Sequence, residues 1–183
     1  MKRACVVLAN GCEEVEAVTP LDYLRRAGVE TLAAGIGGRD IVGAHGIAMA
    51  ADAVLDDIDN EDFDCVVIPG GLGGAQAIAA DADALAFIQR MYNEGALVAA
   101  LCAAPALVLG SACSLLDAKR FTCYPGMEGH VPEGKYSTDR VVLDGNLLTA
   151  QGPGCSGEFA LAAVRYLRGS TEADKLAKSL IMA

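Results

Sequence analysis

The sequence predicts an α/β protein built on a mostly parallel sheet. Three observations point to it. The short runs Ala4–Ala9, Asp64–Ile68 and Ala96–Leu101 are rich in Val and Ala and nearly continuous in hydrophobicity, as strands buried on both faces are. Longer helix-like segments separate them, and strands that alternate with helices form parallel sheets covered on both sides. The first two runs stop at turn signals, Asn10-Gly11 and Pro69-Gly70-Gly71.

Each element follows in order. After the strand Ala4–Ala9, a helix is expected from about Glu13 to Arg26, with Val15, Val18, Leu21 and Leu24 recurring along it and Gly28 as its stop. Pro20 lies inside and cannot donate to the carbonyl of Glu16, so a bend is expected there. Val29–Ala34 reads as a second strand, Gly35–His45 as a glycine-rich loop, and Ile47–Ala50 as a short strand. Asp64–Ile68 follows as a strand, then Ala75–Asn93 as helix in two pieces. Ala96–Leu101 is the next core strand, and Ala103–Leu109 turns helical at once. Arg120–Cys123 is a candidate strand. Arg140–Leu143 and Leu147–Thr149, joined by Asp144-Gly145-Asn146, carry a hairpin signal. Helices over about Gly157–Leu167 and Thr171–Met182 complete the chain.

The totals exclude several function classes. A chain of 183 residues suits one domain spanning 1–183 and buries roughly 70% of its unfolded surface, so it needs no staples. Charged residues are 21% and hydrophobic ones 53%, a globular composition rather than a disordered one. The net charge of −10 argues against binding nucleic acid or an anionic membrane, both of which call for clustered Lys and Arg. Met1-Lys2-Arg3 is basic, but the apolar run behind it is too short for a signal peptide, and no stretch is long enough to span a membrane. The seven cysteines are odd in number, irregular in spacing and form no CxxC. No disulfide framework, metal site or other cofactor is expected, and free thiols suit a reducing cytoplasm. Cys5 and Cys65 sit inside Val-rich runs, where packing is their role.

In parallel α/β sheets, ligands sit beyond the carboxyl ends of the strands. That directs attention to Asn10–Glu16, Gly70–Gly74 and Cys102–Pro105. Cys102 directly follows a buried strand and precedes a helix, among the small residues Ala100, Ala103 and Ala104. This is the mechanical logic of a nucleophile elbow, and a thiol at a helix N-terminus is biased towards thiolate. Pro69-Gly70-Gly71 would offer backbone N–H groups that, with that of Ala103, make an oxyanion pocket. Glu16 falls beside the apolar stripe of the first helix, where a carboxyl must be protonated or partnered, so it is the candidate proton partner of Cys102. Glu13 and Glu14 read as complements to the helix dipole. His45 and His130 are the only histidines, too few for a zinc shell.

Taken together, Asn10-Gly11-Cys12-Glu13-Glu14-Val15-Glu16, Val67-Ile68-Pro69-Gly70-Gly71, Ala100-Leu101-Cys102-Ala103-Ala104-Pro105 and Gln151-Gly152-Pro153-Gly154 resemble the DJ-1/ThiJ/PfpI family, its DJ-1-like branch above all. Order and spacing match over nearly the whole chain. The resemblance implies a flavodoxin-like three-layer sandwich, a homodimer, an oxidation-prone Cys102 and a protonated Glu16, with Gly71 and Ala103 as the backbone N–H donors of the oxyanion pocket. It implies an anion site near the dimer interface at Arg26, with His45 standing where a relative carries Arg. Some members place His before the proline equivalent to Pro125; here that residue is Tyr124, a poor base near neutral pH, so peptidase activity is not expected. The implied activity is glutathione-independent conversion of dicarbonyls such as methylglyoxal, or deglycation of protein side chains. The alternative is a redox sensor or chaperone in the response to oxidative stress, its Cys102 oxidised to sulfinate. A thiamine-biosynthesis label attaches to many relatives, but nothing here resembles a thiazole-phosphate site.

Overall fold

In the computed structural model, which describes residues 1–182, the chain begins with β1 (Arg3–Leu8), α1 (Glu14–Arg26) and β2 (Glu30–Gly35). A small hairpin of β3 (Asp40–Val42) and β4 (Ala48–Ala50) follows, then β5 (Ala53–Val54) and the single turn α2 (Leu55–Ile58). Next come β6 (Cys65–Ile68), α3 (Leu72–Ala80), α4 (Ala82–Asn93) and β7 (Leu97–Leu101). A π-helix spans Pro105–Ala112. Two short strands, β8 (Arg120–Phe121) and β9 (Lys135–Tyr136), precede β10 (Val141–Asp144) and β11 (Leu147–Ala150). The helices α5 (Ser156–Arg168) and α6 (Ser170–Ser179) finish the chain.

The main sheet runs β10-β11-β7-β6-β1-β2-β5. Every pairing is parallel except the β10–β11 hairpin, whose loop is closed by Gly145 at φ 62°. The expected α/β sandwich with a mostly parallel sheet is thus what forms. The period of two along β1 divides the core: Cys5 and Val7 pack with α3, α4 and the π-helix, while Ala4, Val6 and Leu8 pack beneath α1, α5 and α6. Cys5 and Cys65 are buried in these layers, as their Val-rich settings require. Asp81 separates α3 from α4 and caps the second, accepting from the Ala84 N–H at 2.9 Å. No helix among the described residues is long and apolar enough to cross a membrane.

Four readings need correction. The glycine-rich stretch after β2 is not all loop: β3 lies inside it and pairs with β4 beyond its end. Arg120–Cys123 is strand only over its first two residues. Helical hydrogen bonding begins at Ala103, whose carbonyl accepts from Leu107 N, but the helix then widens to π geometry, a form common near functional sites. The apolar stripe assigned to α1 is only partly the face it buries: Leu24 is buried and Leu21 half-buried, but the two valines are not. Val15 and Val18 are each 50% exposed, while Glu16, Ala17, Pro20 and Leu24 face inward, and the helix runs on through Pro20.

Candidate active site

β1, β6 and β7 are neighbours in the sheet, so the loops at their carboxyl ends share one edge. Glu13 N donates to Gly70 O at 3.0 Å, tying the first loop to the second. The fit there tolerates no side chain. A Cβ on Gly71, which sits at φ 79°, would lie 2.5 Å from Glu13 N and from Gly11 O. Gly71 therefore holds both a left-handed turn and a close backbone approach.

Cys102 leaves β7 at φ 58°, a left-handed conformation that a residue bearing a Cβ rarely adopts. Surrounding bonds hold it there. Its N–H donates to Ala150 O at 2.9 Å, and its carbonyl accepts from Tyr124 N at 2.8 Å. The elbow expected from the small neighbours is present, and its strain is the kind concentrated at functional sites. The N–H groups of Gly71 and Ala103 reach the Cys102 sulfur and favour its anion.

Glu16 is wholly buried on α1. Its Oε2 accepts from Gly70 N at 2.7 Å, and its Oε1 is buried without a hydrogen-bond partner. A Cβ on Gly70 would lie 2.5 Å from the Cys102 Cβ and 2.7 Å from Glu16 Oε2, so no side chain separates the two groups. Burial, opposed by the Gly70 N–H and reinforced by the nearby Glu13 charge, pushes the Glu16 carboxyl up to about 7. The expected rise is therefore found. The expected lowering at Cys102 is not: burial, then the charge of ionised Glu16, push the thiol up to about 12 against the pull of the two N–H groups. Two acids this close titrate as a pair. The pair gives up one proton near pH 7 and the second only in strong base, and in between it shares one proton.

Cys102 opens into a cleft of about 680 Å³ whose walls include Ala44, Leu72, Tyr124, Met127 and Pro153. Glu13 and His45 stand at its rim. Glu14, expected only to complement the helix dipole, is buried and anchors the β3–β4 turn. Its Oε1 accepts from His45 N at 2.8 Å, and its Oε2 lies 2.9 Å from His45 Nδ1. That contact draws the carboxyl down to about 2 and raises the imidazole. Gly43 is the local signal for this packing, because any Cβ there would collide with the Glu14 carboxylate. Glu13, Glu14 and His45 form the one grouping of metal-type donors among the described residues, with donor atoms within 4.8 Å of one another; their mutual pairing accounts for it.

Arg26 and His45 do not meet within a protomer. His45 lies over the first turn of α1, whereas Arg26 sits in its last turn, bound to Asp22 at 2.7 Å and beside Glu172 and Lys175 of α6. No histidine stands against Cys102 in the place taken by Tyr124, and the Nδ1 of His45 is committed to Glu14.

A strained thiol, a buried carboxyl and converging N–H groups at one sheet edge make up the arrangement with which known proteins can be compared. The DJ-1/PfpI family model matches residues 2–166. The chain belongs to the DJ-1/PfpI family. Among DJ-1 relatives, it is 36% identical to the Drosophila melanogaster protein dj-1beta over all of this chain and 98% of that one. It is 37% identical to the zebrafish (Danio rerio) Parkinson disease protein 7 homolog, over 99% of this chain and 97% of that one. It is 32% identical to a Caenorhabditis elegans protein named as a glutathione-independent glyoxalase, over 100% and 97%. The chain spans only 40% of the Arabidopsis thaliana DJ-1 homolog B, at 35% identity. The crystal structure of Drosophila DJ-1beta superposes with a TM-score of 0.96 at 37% identity, covering 100% of this chain and 98% of that one. Oxidised DJ-1 from Toxoplasma gondii superposes at 0.95 and 32%, covering 99% and 98%. The α/β flavodoxin-like fold is that of these DJ-1 structures.

Proposed function

We propose that the protein converts reactive 2-oxoaldehydes to 2-hydroxy acids without glutathione, using Cys102 as nucleophile and Glu16 as proton carrier. The observation that carries this reading is the Cys102–Glu16 pair itself: a strained thiol facing a cleft, beside a buried carboxyl that holds a proton near neutral pH. That one C. elegans relative is named as a glutathione-independent glyoxalase supports it.

The chemistry balances on these residues and one water. The Cys102 sulfur adds to the aldehyde carbon, and the proton carried by Glu16 goes to the aldehyde oxygen, giving a hemithioacetal. Glu16, now a carboxylate, takes the C1 proton and returns it to C2 through an enediol. The aldehyde carbon is thereby oxidised to a thioester while the ketone is reduced to an alcohol. Water cleaves the thioester, releasing the 2-hydroxy acid and restoring the thiol. The N–H groups of Gly71 and Ala103 face the oxyanions that form along the way. Adducts on protein side chains would enter by the same first step. Tyr124 in place of histidine leaves no general base of peptidase type, so peptide cleavage is not proposed.

Turnover of methylglyoxal by metal-free protein tests this, with Cys102→Ser and Glu16→Gln beside it. Cys102-dependent formation of lactate is expected. Negligible turnover combined with ready peroxide oxidation of Cys102 would sink the enzyme and favour the redox sensor or chaperone, the reading supported by the half-buried thiol. A cytoplasmic setting fits either role.

The same proposal includes a two-fold dimer through α1. Val15 and Val18 are each 50% exposed on it, two β-branched apolar side chains one turn apart that such a dimer would take out of water. The dimer would also decide whether Arg26 and His45 of different protomers approach one anion.

A further inference from the structure

The cleft over Cys102 is much larger than a three-carbon dicarbonyl requires. Its volume of about 680 Å³ falls in the range of roughly 300–1,000 Å³ that holds drug-sized ligands. Its chemistry is lopsided. Leu72, Tyr124, Met127 and Pro153 make the walls largely apolar, and Leu72 and Tyr124 are exposed into open space there. The charged groups among its lining residues are Glu13 and His45, and no Lys or Arg of the same protomer lines it. His45 does not supply a free cation: its Nδ1 lies 2.9 Å from Glu14 and 3.6 Å from Glu13. Counted with the buried Glu14 behind them, this cluster of two carboxylates and at most one imidazolium is net negative. The field of Glu13 reaches the reacting groups, since its charge adds to the raised proton affinity of Glu16.

We propose that this cleft selects uncharged 2-oxoaldehydes carrying an apolar or aromatic substituent, and that the Glu13 carboxylate turns anionic carbonyl compounds away from Cys102. The inference rests on the aldehyde-addition reading of Cys102 given above. It has a second consequence for the cycle. The product is a carboxylate, so the charge that excludes anionic substrates also repels the 2-hydroxy acid once it forms. Apolar wall and anionic rim thus act at different stages, the first holding a neutral substrate and the second expelling a charged product.

Two measurements separate this inference from the reading beneath it. The first needs no turnover. Alkylation of Cys102 by iodoacetamide, iodoacetate and N-phenyliodoacetamide is followed by mass spectrometry at pH 7.5, each rate divided by that of glutathione. Iodoacetate should be disfavoured against iodoacetamide by about tenfold, as like charges in a partly enclosed site imply. The phenyl reagent should be favoured. Glu13→Gln should shrink the iodoacetate penalty severalfold, and Tyr124→Ala should shrink the phenyl preference. In the wild-type protein the penalty should also fade in 1 M salt, a check that needs no variant. Equal normalised rates for iodoacetate and iodoacetamide, or a penalty untouched by Glu13→Gln, would overturn the role of Glu13. The second measurement compares kcat/KM for phenylglyoxal, methylglyoxal and 4-carboxyphenylglyoxal, the last an anionic 2-oxoaldehyde open to the same chemistry. The order expected is that order, and methylglyoxal outrunning phenylglyoxal would overturn the apolar selection. Absence of turnover with every aldehyde would instead sink the glyoxalase reading, while the alkylation ratios would still decide the selectivity of the cleft.

Discussion

Glu16 and Cys102 face each other across the bare backbone of Gly70. A Cβ on Gly70 would stand 2.5 Å from the Cys102 Cβ and 2.7 Å from Glu16 Oε2, while the Gly70 N–H binds that same oxygen at 2.7 Å. One glycine therefore clears the space between the groups and orients one of them. Gly70→Ala should force them apart. Overpacking of this kind costs about 1–3 kcal/mol, so a lower Tm and slower Cys102 alkylation are expected together. Gly129→Ala is the control, because a Cβ there meets nothing within 4 Å. An unchanged alkylation rate in Gly70→Ala would show that the close approach does not matter.

Sharing one proton gives the pair a distinctive pH profile. Nucleophilic attack needs the form in which the proton sits on Glu16 and the sulfur is anionic. That form belongs to the singly protonated pair, which builds up as pH rises through about 7, the value for Glu16, and persists towards the value of about 12 for Cys102. Alkylation of Cys102 should therefore rise about tenfold per pH unit below 7 and level off above it. A free thiol would keep rising to about 8.5. In Glu16→Gln the plateau should vanish and the rise should move to higher pH. A wild-type rate that climbs steadily from pH 7 to 10 would show that the thiol ionises alone.

Stability carries the same signature with a definite sign. The Glu16 carboxyl is raised from 4.5 to about 7 on folding. Below about pH 4.5 it is neutral in both states and its burial carries no charge penalty. Between 4.5 and 7 the native state holds more protons than the unfolded one, so stability falls as pH rises. Above 7 the loss is complete, at about 3 kcal/mol by the linkage relation. Glu16→Gln lacks this slope, so it should gain on wild type by about that amount between pH 4.5 and 8. Urea unfolding at a series of pH values measures the difference directly, and a constant gap would contradict the raised carboxyl.

How much of this was legible depended on how far apart the partners lie in sequence. The buried strands announced themselves, because Cys65–Ile68 and Leu97–Leu101 are apolar at every position. Cys102 was legible because a strand, a thiol and a helix start adjoin in sequence. Glu16 was ambiguous: its burial is secured by the Gly70 N–H, 54 residues away. Glu14 looked like a solvated helix-start residue because its partners in the β3–β4 turn are 31 residues away. The first turns of α1 were misread for a related reason, although Leu24 and Leu21 do face the core. With Glu16 and Pro20 accepted into the core, Val15 and Val18 are turned outward, and no period in the helix alone reveals that choice.

Those outward valines make the dimer testable. If α1 packs against its own copy, Val15 and Val18 lose their exposure on assembly. Sedimentation should give a dimer at micromolar concentration, and Val15→Glu with Val18→Glu should yield monomers that still fold, because neither side chain belongs to the protomer core. A wild-type protein that sediments only as monomer would sink the assembly and, with it, any anion site shared between Arg26 and His45.

Oxidation distinguishes Cys102 from the other six thiols. Those six are buried, and only Cys102 is half-exposed. Burial pushes Cys5, Cys12 and Cys123 up to between about 11 and 12, and each lacks an acid partner of the Glu16 type. Cys102 is raised as well, but it alone can become an anion by passing its proton to a neighbour rather than to solvent. Sulfenate forms by attack of that anion on one peroxide, and a second peroxide takes it to sulfinate with loss of a second water. The sulfinate carries its charge on oxygens that face the Gly71 and Ala103 N–H groups, and a protonated Glu16 can donate to one of them. Mild peroxide should therefore produce sulfinate at Cys102 before any other cysteine changes. Glu16→Gln, which keeps a donor but loses the transferable proton, should slow the first step while leaving any sulfinate that forms stable. Peptide mass spectrometry over a peroxide series reads both quantities. Oxidation starting at Cys12 or Cys155, with Cys102 still a thiol, would show that the reactive residue has been misassigned.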